Sequence, residues 1–411
     1  MLTTNPKHTG NLANTDLLRS PLFTSWKDPV SGVESFLLSR RVAPLQQSFY
    51  FVNPSLTDDG RYYWFYCSFP PGGNANYGRS LAVADLWENR IHHYPETLFL
   101  DASPLVDLST GEVYWCTGSE VWKRGPKPED QPVFINRFPV ELANNRRLWR
   151  LSTHLTFSAD RTALNFDAEV GLEWFVGHIP LDGGEVVVWQ KFDRCYNHGQ
   201  FSPTDPDLQL IAQDNFVHPL TGEINSLANR LWLIRRNEKA RPVYSREIPM
   251  KSEVFVQNGH YENERPSRVH DERIMHGHEW WSADGQYIWY VHYGVGVERI
   301  PAYGAPVADL IWPLNHVSHG HADESGKLVV VDCLPPDRPE EGRVAFYNRE
   351  TGRKINIVSL IPYPDDRQQS YHVHAHPQFC GGDRYICYTT TVLGGIDVAF
   401  TLVDELVDKT S

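Results

Sequence analysis

Residues 368–379 read QQSYHVHAHPQF and set His372, His374 and His376 at alternate positions. On an extended chain alternate side chains share a face, so three imidazoles would stand in a row. Imidazole is the commonest transition-metal ligand and a ready proton carrier near neutral pH. The same spacing recurs in His276 with His278 and in His319 with His321. An ion needs three or four donors within about 2.0–2.3 Å. One His-x-His strand supplies two of them, so a second element must bring the rest. Histidines mixed with Gln369 or Tyr371, without cysteine, suit Mn, Fe, Ni or Zn over a thiolate-selective ion.

The elements that position these rings announce themselves as a repeat. HEWWSADGQYIWY (278–290) reads as a strand end, a Ser-x-Asp-Gly turn and an aromatic strand. Comparable phrases start at Asn53, Pro104, His154, His198, His278, His319 and His376, at intervals of 51, 50, 44, 80, 41 and 57 residues. Units of about 40–50 residues, each a few strands around a polar turn, are the pattern of a β-propeller. The expectation is an all-β, seven-bladed propeller of four-stranded blades in a single domain over residues 31–411. Residues 1–30 would form an N-terminal arm, with a short helix around Thr15–Arg19. The long fourth interval calls for an insertion, expected around 237–275 where charge is dense. A strand within ESFLLSRRV (34–42) would complete the last blade and close the ring. Two unrelated β-sandwiches are the competing architecture.

Aligned on their turns, five of the seven phrases carry histidine four residues before the Ser-like position: His154, His198, His278, His319 and His376. Equivalent blade positions lie at equal height around the axis, so these rings are expected to converge on the channel. The competing role is structural, each histidine tying strands through a Ser or Asp. Phrases five, six and seven are neighbours, so their histidines can face one another.

Composition narrows the function. The chain has 411 residues, a formal charge of −13 and 12% aromatic residues. Such a surface does not seek nucleic acid, although a small anion in a locally basic pocket is allowed. Six cysteines with no CxxC pair read as free thiols of a reducing compartment. No apolar leader or long apolar run is apparent, so the expectation is a cytoplasmic protein without a membrane partner. No HExxH, GxSxG or phosphate-loop motif occurs.

The segments GHEWWSADG (277–285), HAHPQF (374–379), HGQFSPTDP (198–206) and NRLWLI (229–234) resemble oligogalacturonate lyases. The resemblance spans roughly residues 45–400 and implies a cytoplasmic seven-bladed propeller with a divalent metal, usually Mn. It implies His278, His374 and His376 as ligands, with a Gln upstream. Here Tyr371 stands where that Gln is expected, Gln369 lies two residues further away, and His372 is an additional donor. The family's proposed base histidine maps to Gln213, which cannot act as a base. Asp214, His218 and His198 are the nearby alternatives. Arg230 matches an Arg-aliphatic-Trp segment and, with Arg194, is a candidate clamp for a carboxylate.

The expected activity is therefore metal-dependent β-elimination on a small uronate oligosaccharide, an anionic partner. The alternatives are a non-catalytic ligand- or partner-binding propeller with a structural metal, and a metal-dependent hydrolase or isomerase on the same scaffold. The sugar, the physiological metal and the oligomeric state do not follow from the sequence.

Overall fold

The computed structural model describes residues 19–74, 77–99, 104–218, 220–222, 224–225, 229–243, 276–334, 341–362 and 374–411. Gln369, Tyr371 and His372, most of the helix expected at Thr15–Arg19 and most of the insertion expected at 237–275 lie outside these residues.

The repeated turns owe their sequence to one hydrogen-bonding scheme. In the fifth phrase Ser282 Oγ donates to Asp284 at 2.6 Å and accepts the Tyr287 N–H at 2.9 Å, while Gly285 takes φ +67°. Thr57 and Asp59 repeat it with Gly60, and Ser158 and Asp160 repeat it with Arg161 at φ 58°. The short side chains substitute for backbone partners that a tight turn leaves unpaired.

These turns join the strands of seven sheets arranged as the blades of a propeller. Blade 1 contains Leu45–Gln47, Tyr62–Ser68, Arg79–Asp85 and Arg90–Phe99, and blade 2 runs from Leu105–Val106 to Val133–Arg137. Blade 3 contains Ala163–Val170, Glu173–Pro180 and Val187–Phe192. Blade 4 contains Tyr196–Phe201, Leu208–Gln213, Leu231–Arg235 and Arg241–Pro242. A small hairpin, Phe216–Val217 with Ile224–Asn225, rises from it. Blade 5 contains His276–Trp281, Tyr287–His292, Gly296–Pro301 and Asp309–Pro313. Blade 6 runs from Val317–Ala322 to Arg353–Val358. Blade 7 joins Gln378–Cys380, Tyr385–Thr390 and Asp397–Leu402 to Glu34–Leu38. The N-terminal strand thus closes the ring, with Phe36 opposite Phe400 and Leu37 opposite Ala399.

Two blades depart from the expected four strands. Blade 3 has three regular strands because its inner segment is held by a side chain. Asn165 accepts the Thr156 N–H at 2.6 Å and donates to the carbonyls of His154 and Gly199 at 2.8 and 2.6 Å. Only single bridges, Phe157 to Leu164 and Arg150 to Glu169, remain of the ladder there. Blade 7 has five strands, since Phe23–Lys27 pairs antiparallel with Glu34–Leu38. The arm expected over residues 1–30 is therefore sheet from Phe23. The turn that makes it so is built on Asp28, which accepts the Ser31 N–H at 2.7 Å and the Ser359 N–H of blade 6 at 2.8 Å.

The core lies in the seams between blades. Along Tyr287–His292, Ile288 and Tyr290 pack with Leu208 and Leu231 of blade 4, while Trp289 and Val291 pack with Val329 and Val331 of blade 6. Both faces of the sheet are covered, and each large apolar side chain so buried contributes about 1.5–3 kcal/mol. All six cysteines are buried and unpaired. Among the described residues no helix is long and apolar enough to cross a membrane.

Candidate metal centre and channel site

The histidines that converge on the axis sit on kinks in the inner strands. Pairing slips between Asn197 and Gln200 in blade 4, between Gly277 and Trp280 in blade 5, and between Val317 and Gly320 in blade 6. These are β-bulges, which leave one residue out of the ladder and re-aim its side chain. His198 and His278 take φ 53° and 54° there, and His376, just before the first strand of blade 7, takes φ 46°. A left-handed backbone at a non-glycine residue is uncommon, and three histidines adopt it at matching positions.

The rings meet. His278 and His319 have centroids 4.0 Å apart, His319 lies 4.3 Å from His376 and 4.8 Å from His374, and His154 lies 5.0 Å from His198. Tyr50 joins the two groups, stacked on His154 at 4.7 Å and edge-on to His376 at 4.8 Å. Its hydroxyl lies 3.5 Å from His278 Nδ1. The five histidines picked out by their offset from the turns therefore surround one space.

Within it, the ligating atoms of His319, His374 and His376 all lie within 4.8 Å of one another. This trio shares two members with the expected set of His278, His374, His376 and Gln369. His278 packs against His319, and Gln369 lies outside the described residues. The His319 ring is fixed by Asp332, whose two carboxylate oxygens lie 3.1 Å from Nδ1. That contact commits Nδ1 and leaves Nε2 available. Asp332 also accepts the backbone N–H groups of His319, Ala375 and His376 at 2.6, 3.0 and 3.3 Å. A carboxylate behind a ligating histidine is the usual outer support of a metal centre.

Three observations fit a divalent ion in this space. The donors are imidazoles without thiolate. Burial, then the neighbouring rings, pushes His278, His319 and His376 well below the usual histidine range, which favours the neutral form that ligates. Both ring nitrogens of His154 are buried without a hydrogen-bond partner among the described residues.

Beside the trio lies a buried charge cluster. Glu279, adjacent to His278, has a fully buried side chain, with Oε1 3.1 Å from His198 Nδ1 and Oε2 3.7 Å from Arg230 Nε. Burial alone would raise this carboxyl. Arg230 and His198 overcome that and hold it well below the usual carboxylate range. Arg230 also reaches Asp214 at 3.3 Å and the Gln213 carbonyl at 3.2 Å. Asp214 is in turn held by Asn197 at 3.4 Å. Burial acts to raise its carboxyl, but Arg230 and His198 outweigh it and lower the pKa.

Of the expected catalytic and substrate residues, the fold thus gathers His198, Asp214 and Arg230. His218 sits in the small hairpin, where its Nδ1 faces the Leu220 and Thr221 N–H groups at 3.3 Å. Its ring braces its own loop. Arg194 is half-buried before blade 4, and among the described contacts it does not join the cluster. Gln213 points into the blade, donating to Tyr196 Oη at 3.3 Å. Tyr50, Glu279 and Asp332 were not singled out from sequence. The available signals were their places, Glu279 directly after the histidine of the fifth phrase and Tyr50 three residues before the first phrase.

No family model matches this sequence, and no curated protein matches it. Solved structures that share the fold over nearly the whole chain include two oligogalacturonate lyases. One is an oligogalacturonate lyase in complex with manganese, 17% identical with a TM-score of 0.67, covering 94% of this chain and 97% of that one. The other is the oligogalacturonate lyase of Vibrio parahaemolyticus, 15% identical with a TM-score of 0.68, covering 93% of this chain and 96% of that one. At such identity the likeness establishes the seven-bladed fold.

Proposed function

We propose that this protein is a metal-dependent lyase that cleaves a small uronate oligosaccharide by β-elimination. The observation that carries the reading is the axial trio His319, His374 and His376 lying beside the buried His198–Glu279–Arg230 cluster. The manganese complex of the similarly folded lyase supports the choice of metal and of substrate class.

His319, His374 and His376, with His278 alongside, are the residues that would hold the ion. When bound, it supplies positive charge that neutralises the uronate carboxylate and acidifies the adjoining C5–H. Arg230 adds fixed positive charge to the same space. Further cationic character comes from Arg79 and Arg150, whose charges reach His376 and His154.

His198 is the base in this reading. In this reading the Nδ1–H is directed at Glu279 Oε1, 3.1 Å away, with Arg230 Nη2 3.5 Å from the same nitrogen, and Nε2 accepts the proton. The His198 side chain retains 20% exposure, so a substrate can reach it, whereas Glu279 is fully enclosed. The C5 proton passes to Nε2, the C5–H electron pair forms the C4–C5 double bond, and the glycosidic oxygen leaves C4 with its bonding pair. Asp214 and Arg230 hold the cluster together from behind.

Gln213 at the place of the family's base favours one second reading, a ligand-binding propeller whose ion is structural. Turnover separates the two. Manganese-loaded protein incubated with uronate di- and trisaccharides should yield unsaturated products, detected by ultraviolet absorbance. His198→Ala should lower the rate about 10²–10⁴-fold while metal content stays unchanged. Absence of unsaturated product from every uronate tested would replace the lyase reading with the binding one.

A further inference from the structure

A second group of donors lies away from the axis. We propose that His276, His292 and Glu298 form an additional binding site for a zinc-class divalent ion on the flank of blade 5. The three come from three consecutive strands of that blade. His276 and His292 stand directly opposite each other, and Glu298 stands opposite Tyr290, two residues before His292 on the same face. Their ligating atoms all lie within 4.8 Å of one another. The two imidazoles have centroids 4.7 Å apart and meet edge-on at 81°.

Several features make this more than a polar cluster. His276 is only 3% exposed. The His292 and Glu298 side chains are 12% and 13% exposed, with His292 Nδ1 3.2 Å from Glu298 Oε1. That nitrogen is buried and makes no hydrogen bond among the described residues. The Tyr290 hydroxyl donates to the other oxygen, Oε2, at 2.8 Å. It therefore orients the carboxylate while leaving Oε1 for an ion, as outer-shell donors do. Two imidazoles and a carboxylate form a set that zinc accepts with a coordination position open.

The site is distinct from the axial one, although His276 and His278 are two residues apart. The bulge between Gly277 and Trp280 separates them. His278 turns to His319, whereas His276 packs on Tyr290 at 4.6 Å, in the seam with Leu208 and Leu231. The competing account is a His292–Glu298 ion pair on which His276 packs. An ion pair uses one of the two imidazoles and joins the strands of His292 and Glu298. A metal uses both and clips three strands together.

The test uses full-length protein in which His374→Ala and His376→Ala have removed the axial trio. Zinc binding is measured by equilibrium dialysis with elemental analysis. Cobalt is the spectroscopic probe, since its visible bands report low-coordinate nitrogen and oxygen ligation. This variant should bind about one zinc per chain, since one ion satisfies the three donors. Adding Glu298→Gln, which is isosteric, should weaken binding by roughly 100-fold or more, because losing an outer-shell partner alone costs about 10–100-fold. The cobalt bands should disappear with it, while circular dichroism stays unchanged. Anomalous diffraction at the zinc edge from unsubstituted protein gives a reading that does not depend on any variant folding. Failure of the axial-site variant to bind zinc, affinity indifferent to Glu298→Gln, or no anomalous peak between these residues would overturn the proposal. None of these outcomes bears on uronate cleavage, which belongs to the axial site.

Discussion

Asp332 takes contacts from four groups at once, the His319 ring and the backbone N–H groups of His319, Ala375 and His376. It links blade 6 to the segment carrying His374 and His376, so one carboxylate positions the whole trio. Asp332→Asn keeps the size but loses the charge and two acceptor positions. Manganese affinity should fall about 10–100-fold, read by equilibrium dialysis, and unchanged affinity would remove Asp332 from the site. Arg230 is a second hub. Arg230→Ala takes the Arg230 charge away from the fully buried Glu279 carboxylate, leaving it only His198 as a partner. Loss of about 3–5 kcal/mol in urea unfolding is expected, because an uncompensated buried charge is left behind. Arg230→Ala with Glu279→Gln should recover much of it, and equal losses in the single and double variants would deny the coupling. The histidines themselves were legible, since their spacing and offset from the turns need no tertiary knowledge. Which histidines form the close trio of donors was not legible, because His278 and His319 both lie at the offset and only packing decides between them. Glu279 and Asp332 were hidden for the same reason: their partners come from other strands and other blades.

At the scale of elements, the Ser-Asp-Gly turn is a local device, and that is why the sequence announces seven blades. Side-chain bonds two to five residues apart leave a motif that can be read along the chain. Blade 3 shows the limit. Its inner edge depends on Asn165, fully buried and bonded across to Thr156, His154 and Gly199 of the next blade. Nothing in the sequence separates this asparagine from one in a turn. Asn165→Ala leaves a buried N–H and two carbonyls without their partner, each worth about 1–3 kcal/mol when orphaned. A loss of about 3 kcal/mol or more in urea unfolding is expected, with an unchanged midpoint contradicting it. Because His154 belongs to the same segment, its ring should lose its stacking on Tyr50 as well. The bulges were not legible either, for a His-Gly or Gly-His pair in a strand does not reveal which residue will leave the ladder.

For the whole molecule, closure and protonation set stability. The ring is closed by Glu34–Leu38, with Ser35 Oγ 2.9 Å from Thr401 Oγ1 and accepting from the Tyr388 hydroxyl at 2.7 Å, all buried. Seven blades stack without a second core to fall back on, so a chain lacking residues 1–40 should lose its cooperative thermal transition. A sharp transition at the original temperature would show that the strand is dispensable. Acid acts through buried neutral histidines. His178, remote from the axial trio, accepts a hydrogen bond from Trp189 Nε1 at 2.8 Å, and burial lowers its pKa to about 4. The unfolded chain binds this proton near pH 6.5 and the folded chain only near 4. Its stabilising contribution is therefore complete above about 6.5 and is lost as pH falls toward 4. His178→Gln should flatten the pH dependence of stability across that window, and an unchanged slope would clear His178 of the effect. The proposed reaction requires one ion at the axis acting on a uronate. The most direct measurement is the rate of unsaturated-product formation from a uronate trisaccharide as metal-free protein is titrated with manganese. The rate should rise from zero and saturate as the axial site fills, and it should stay at zero for His374→Ala at every manganese concentration. A rate that is independent of manganese, or a His374→Ala chain that turns over as fast as the unaltered one, would contradict it.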